Sequence, residues 1–311
     1  MSASQADPVL HSQIVNSSRP SESGWSVTAE GQTLLRSFQN APYPHASREK
    51  GYTYDGKFFD APTHYSDSTV GIFIPAGYRP GKTVDYVVHF HGWSNHVASV
   101  LDHYALRQQM VESQRNAILL VPQGPKDATD SGGGKLEMEA GAFAALLNEV
   151  TAYLVQAGKI HTDHIGKIVL STHSGGYRVT SAILRQGGLT EHITDVLLFD
   201  SSYGGLDNFV EWASHGSNRR LISLFTAHLA PENFTLLTLL QKQNVRLQAI
   251  LEPDLNTDVL LPRHVLLLHT PDIAHDEVMQ KKNFFALFLK TSALPDNKTT
   301  DFFKIGPAVR D

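Results

Sequence analysis

The chain has 311 residues, 41% hydrophobic and 18% charged, an ordinary globular composition with room for one large domain or two small ones. Twenty-six Lys and Arg against 31 Asp and Glu give a net charge of −5 with neutral histidines, which argues against a nucleic-acid partner, since that needs a basic patch or stripe. With no cysteine, disulfides, thiolate metal sites and a cysteine nucleophile are excluded, while 16 histidines stand out.

The N-terminus MSASQADPVLHSQIVNSSRP lacks a basic start and an apolar stretch, so it does not read as a signal peptide. The compartment stays open between the cytoplasm and export with the leader missing. No apolar run approaches the roughly 18 residues of a membrane span, so a soluble protein without a membrane partner is expected. Residues 1–25, polar and Ser-rich, read as an N-terminal arm, and residues 26–311 as one domain. The spacing of Leu34, Leu35 and Phe38 predicts a short helix over residues 28–39. Asp55-Gly56, between Tyr52-Thr53-Tyr54 and Lys57-Phe58-Phe59, predicts a hairpin with a tight primed turn. A strand follows over residues 70–75.

From residue 85 the pattern becomes regular. Apolar runs at 85–91, 116–121, 167–172, 195–199, 220–225 and 264–269 are mostly continuous, as in strands buried on both faces of a parallel sheet. Helix-period segments at 98–114, 136–156, 178–185, 232–243 and 277–290 lie between or after them. This alternation predicts an α/β three-layer sandwich with a mostly parallel central sheet and an antiparallel edge from the early strands.

The most specific motif is Thr172-His173-Ser174-Gly175-Gly176, which follows the apolar run Lys167–Ser171 and precedes a helical segment. A sharp strand–turn–helix exposes a serine hydroxyl at the C-terminal edge of a sheet, and it needs small neighbours. The segment resembles the nucleophile elbow G-x-S-x-G of the α/β-hydrolase superfamily, with Thr172 in place of the first glycine. The resemblance extends to Val87-Val88-His89-Phe90-His91-Gly92-Trp93, which matches the family's His-Gly segment after an early strand. It implies an oxyanion hole from the backbone N–H groups of Trp93 and Gly175, and a triad in the chain order Ser, acid, His. The base expected just past the last strand is His275. The acid is Asp200, after the strand 195–199, in preference to Glu232 one strand later. His173 reads as structural, pointing away from the cleft.

Substrate-binding residues are expected at His91, Tyr177, Arg178 and Tyr203, with Trp93, Tyr203 and Trp212 as an aromatic platform for a sugar or aryl group. The resemblance thus implies a serine hydrolase, foremost a carboxylesterase acting on a small or carbohydrate-linked ester through an acyl-enzyme. A peptidase or amidase on the same fold is the alternative, and a silent binding protein is another. No cofactor and no metal are called for. A metal site from His89, His91, His96 and His103 would need H-x-H-x-D-H, but Trp93 and Ser94 break that pattern. Ser131-Gly132-Gly133-Gly134-Lys135 departs from a phosphate loop and reads as a mobile loop. The oligomeric state is left open.

Overall fold

The computed structural model of the chain describes residues 19–20, 24–216, 218–261 and 263–297. Most of the expected polar arm, residues 1–18 and 21–23, lies outside the described residues. Its last residue, Trp25, is buried in the core.

The continuous apolar runs become strands because each can bury both of its faces. The strands are β1 (Arg19–Pro20), β2 (Ser26–Val27), β3 (Gly31–Ser37), β4 (Tyr52–Tyr54), β5 (Lys57–Phe59), β6 (Thr69–Pro75) and β7 (Val84–Phe90). They continue with β8 (Ile118–Pro122), β9 (Ile165–His173), β10 (Ile193–Phe199), β11 (Arg220–Phe225), β12 (Leu247–Leu251) and β13 (Val265–His269). Strands β4 and β5 form the expected hairpin, with Asp55 and Gly56 both at positive φ. The others make one sheet in the order β1-β2-β3-β6-β8-β7-β9-β10-β11-β13-β12. Pairing is antiparallel from β1 to β8 and parallel from β8 to β12.

Alternate residues of β7 enter two cores. Tyr86, Val88 and Phe90 join Phe143, Leu146 and Leu154 of the helix Ala142–Gln156 on one face. Val87 joins Leu101, Met110 and Phe288, carried by the helices Val97–His103, Leu106–Glu112 and Phe284–Lys290, on the other. Each fully buried Val, Leu or Phe of this kind contributes about 1.5–3 kcal/mol.

The expected helix over 28–39 is strand β3 instead. Leu34 is buried and Leu35 is 48% exposed, so neighbouring residues face opposite ways, and β6 pairs along the whole of β3. The cross-strand ladder outweighs a weak local helical spacing. The segment 98–114 divides into two helices at Ala105, which has φ 49°, and 136–156 divides at Gly141. In 277–290 only Phe284–Lys290 is α-helical. Strand β12 was not among the expected strands; it is a half-exposed edge, and Gln248 interrupts its apolar run.

Candidate active site

Strand β9 ends at the centre of the parallel sheet and passes through a tight turn, Ser174–Gly176, into the helix Tyr177–Gln186. Ser174 has φ 53°, a left-handed conformation that costs a non-glycine residue roughly 1–2 kcal/mol. The Ser201 hydroxyl donates to the Ser174 carbonyl at 2.6 Å and holds the turn. Close approach explains the small neighbours. A Cβ on Gly176 would meet the Thr172 hydroxyl and lie 2.6 Å from the Phe90 carbonyl oxygen, and one on Gly92 would lie 2.6 Å from Ser174 Cβ. Thr172 is therefore accommodated where the family motif has glycine, because its side chain fills the space that Gly176 leaves.

The structure brings three of the expected residues together. His275 Nε2 lies 2.8 Å from Ser174 Oγ, and His275 Nδ1 lies 2.7 Å from Asp200 Oδ2. Asp200 follows β10 with φ 47°, is fully buried, and also accepts from the Thr226 backbone N–H and the Thr226 hydroxyl, both at 2.8 Å. Burial pushes its carboxyl up, but the hydrogen bonds from His275 and Thr226 outweigh that and hold it below the ordinary carboxylate value. Glu232 lies in the first turn of the helix Ala230–Lys242, and the Nδ1 of His275 meets Asp200, not Glu232.

His173 does not merely point away. Its Nε2 lies 3.0 Å from the His275 backbone carbonyl, and its Nδ1 lies 3.2 Å from the Tyr104 hydroxyl. The carbonyl can only accept, so Nε2 carries the proton, and the buried ring anchors the loop that presents His275. Burial, and then the neighbouring His275, lower the His173 pKa to about 4, so the ring is neutral.

Trp93 and Gly175 sit where the turn after β7 meets the elbow. Trp93 is 40% exposed, and its indole N–H donates to Ser131 Oγ at 2.7 Å. The loop carrying Ser131 is packed, unlike the mobile loop expected there. Asp130 is buried and accepts from Arg48 Nε at 2.7 Å and from the Gly132 N–H at 2.9 Å. The hairpin adds Tyr54, edge-on to Trp93 at 5.0 Å.

The expected substrate-binding residues divide. Tyr203 is 40% exposed, with its ring 5.8 Å from that of Tyr177. Arg178 is paired with Glu137 at 2.6 Å. His91 is a correction. It is buried, its Nδ1 lies 2.8 Å from the Gly92 carbonyl oxygen, and its Nε2 accepts from the Gly124 N–H at 3.0 Å, so both nitrogens brace the turn. Trp212 is likewise buried in the core and forms no platform.

Sequence reading missed Thr226 and His228, which enter from the loop after β11. His228 Nε2 lies 2.8 Å from the Tyr203 hydroxyl. A signal existed in the polar Thr226-Ala227-His228 directly after a buried strand, but only the folded sheet places it beside Asp200. Among the described residues, the side-chain groups with metal-ligand proximity are Asp200, His228 and His275, and His173, His275 and Asp276. A metal at either would compete for a His275 nitrogen that already serves Ser174 or Asp200.

No family model matches the chain, and no curated protein matches it. Among solved structures it is similar to the feruloyl esterase module from Clostridium thermocellum complexed with sinapinate, at 10% identity and a TM-score of 0.52, covering 88% of this chain and 93% of that one. It is also similar to FphF, a fluorophosphonate-binding serine hydrolase of Staphylococcus aureus, at 12% identity and a TM-score of 0.48, covering 84% and 99%. The chain has the α/β-hydrolase fold that the motifs implied. No helix among the described residues is long and apolar enough to cross a membrane.

Proposed function

We propose that the protein is a serine hydrolase, specifically a carboxylesterase acting on small or carbohydrate-linked esters. One observation carries this reading: His275 bridges Ser174 at 2.8 Å and Asp200 at 2.7 Å, at a serine held in the left-handed elbow conformation. A buried structural serine would need neither partner. The Asp200 carboxylate accepts a hydrogen bond from the Nδ1–H of His275, which leaves Nε2 free to take the Ser174 proton. Ser174 Oγ then attacks the ester carbonyl, and the negative charge develops on the carbonyl oxygen beside the N–H groups of Trp93 and Gly175. His275 returns the proton to the leaving alcohol. Water, deprotonated by the same imidazole, releases the acid and regenerates Ser174.

The test is labelling with a fluorophosphonate probe, which reacts only with an activated serine. The folded protein is expected to label at Ser174, and Ser174→Ala is expected to abolish both labelling and p-nitrophenyl acetate turnover. Labelling that persists in the variant, or none in the folded protein, refutes the reading. A panel of short acyl esters, acetylated sugars, feruloyl esters and peptide amides then separates esterase from amidase.

A further inference from the structure

The phenol of Tyr203 stands on one flank of His275, and the groups behind it fix the direction of its proton. Asp200 is an acceptor at both oxygens, so the Thr226 hydroxyl at 2.8 Å must donate to it. The Thr226 oxygen can then only accept from His228 Nδ1, 2.7 Å away, and that nitrogen carries the ring proton. His228 Nδ1 also faces Asp200 Oδ2 at 3.4 Å, which favours the same placement. In the neutral ring Nε2 is therefore the acceptor, and the Tyr203 hydroxyl donates to it at 2.8 Å. The Tyr203 oxygen is left with lone pairs only.

Those lone pairs border the reacting centre. The rings of Tyr203 and His228 stand edge-on to His275 at 6.3 Å and 5.2 Å, and His275 Nε2 meets Ser174 Oγ at 2.8 Å. Burial and the nearby Asp200 raise the phenol pKa to about 12, so it stays protonated. A leaving oxygen must come within reach of His275 Nε2 to receive its proton, so the substituents of the leaving group pass this flank. Trp93 and Ser131 are hydrogen-bonded to each other next to Gly175, one of the expected oxyanion donors.

We propose that Tyr203, oriented by His228, accepts a hydrogen bond from a hydroxyl of the leaving alcohol, so that the enzyme prefers esters of polyols or sugars to esters of plain alkanols. Tyr203 is the substrate-contacting group, and His228 is a positioning residue that acts through it. The inference rests on the serine-esterase reading above and names the leaving-group class of the same site.

The experiment compares kcat and KM for glyceryl monoacetate and propyl acetate in the full chain, Tyr203→Phe, His228→Ala and His228→Gln, with fluorophosphonate labelling of each protein. The wild type is expected to favour the glyceryl ester. Tyr203→Phe is expected to lower the glyceryl-to-propyl ratio of kcat/KM roughly fivefold to tenfold, as for one lost neutral hydrogen bond, mainly through KM. His228→Ala should move the ratio the same way, and His228→Gln, whose carbonyl can accept from the phenol, should retain more of it. A Tyr203→Phe enzyme that labels normally but loses both activities equally overturns the inference and leaves the esterase reading standing. Absence of labelling in the wild type overturns both.

Discussion

Replacing Asp200 by Asn tests the charge and the tautomer of the proposed triad together. The carboxylate accepts from the Thr226 N–H through one oxygen, and from the Thr226 hydroxyl and His275 through the other. In Asp200→Asn the carbonyl oxygen can keep the Thr226 N–H, which turns the amide NH2 toward His275. Two donors cannot face each other, so Nδ1 must give up its proton, and the proton moves to Nε2, facing Ser174. The imidazole is then unable to accept from the Ser174 hydroxyl. Loss of the negative charge adds to this. An imidazolium about 4 Å from a carboxylate, at an effective dielectric constant of about 20, is stabilised by about 4 kcal/mol. That corresponds to roughly a thousandfold in rate, and the wrong tautomer brings the expected loss in kcat to about 10³–10⁴. Steady-state turnover of p-nitrophenyl acetate measures it, with unchanged circular dichroism as the control for folding. Glu232→Gln is expected to cost less than about threefold, within the range of substitutions away from a special contact. Equal losses in the two variants, or a loss under about tenfold in Asp200→Asn, refute the reasoning.

Two further outcomes concern the framework of the site. Unfolded, His173 titrates near 6.5, whereas burial and His275 hold it at about 4 in the folded chain. Between those values only the unfolded chain binds the proton, so stability falls as pH drops from 6.5 toward 4, by roughly 3 kcal/mol in full. His89, buried nearby, shifts in the same direction. Urea denaturation from pH 7.5 to 4.5 should show a shallower pH dependence in His173→Gln, together with a lower kcat from the loosened His275 loop, and equal slopes would refute this. At the opposite end of the sheet, buried Asp195 accepts from Arg220 at 2.7 Å and from Arg263 at 2.7 Å, tying β10 to β11 and to the segment before β13. Arg220 also donates to the carbonyls of Leu260 and Phe288. Arg220→Ala should lower unfolding free energy by about 3–5 kcal/mol, since it leaves a buried carboxylate half-paired, and a loss under about 1 kcal/mol would show the network to be dispensable.

Much of the architecture was legible because burial leaves a mark on composition. A strand covered on both faces must be apolar throughout, so β7, β9, β10, β11 and β13 stood out as runs. Strand β3 did not, because it owes its conformation to the ladders with β2 and β6 rather than to its own residues. The helix breaks fall at Ala105 and Gly141, where the backbone turns left-handed at φ 49° and 78°. The same division runs through the site. Ser174 and His275 were legible because their positions follow from where strands end and turns begin, a local property of chain order. Asp200 was legible as a carboxylate at a strand end, but its preference over Glu232 rested on resemblance until the fold placed it against His275 Nδ1.

Four contacts were decided only by the tertiary structure: His173 on the His275 carbonyl, His91 turned inward to brace its turn, Thr226 on Asp200, and His228 on Tyr203. Each joins residues from different strand ends whose separation in the chain carries no periodic signal. Hydrophobic periodicity reports which face of an element is buried, and it settled the layers and the strand that carries the serine. Hydrogen bonding depends on distance and direction between groups that only the assembled sheet edge brings together. That assembly gives four of the histidines distinct places: His275 between Ser174 and Asp200, His173 on the His275 carbonyl, His91 against its own turn and His228 on Tyr203.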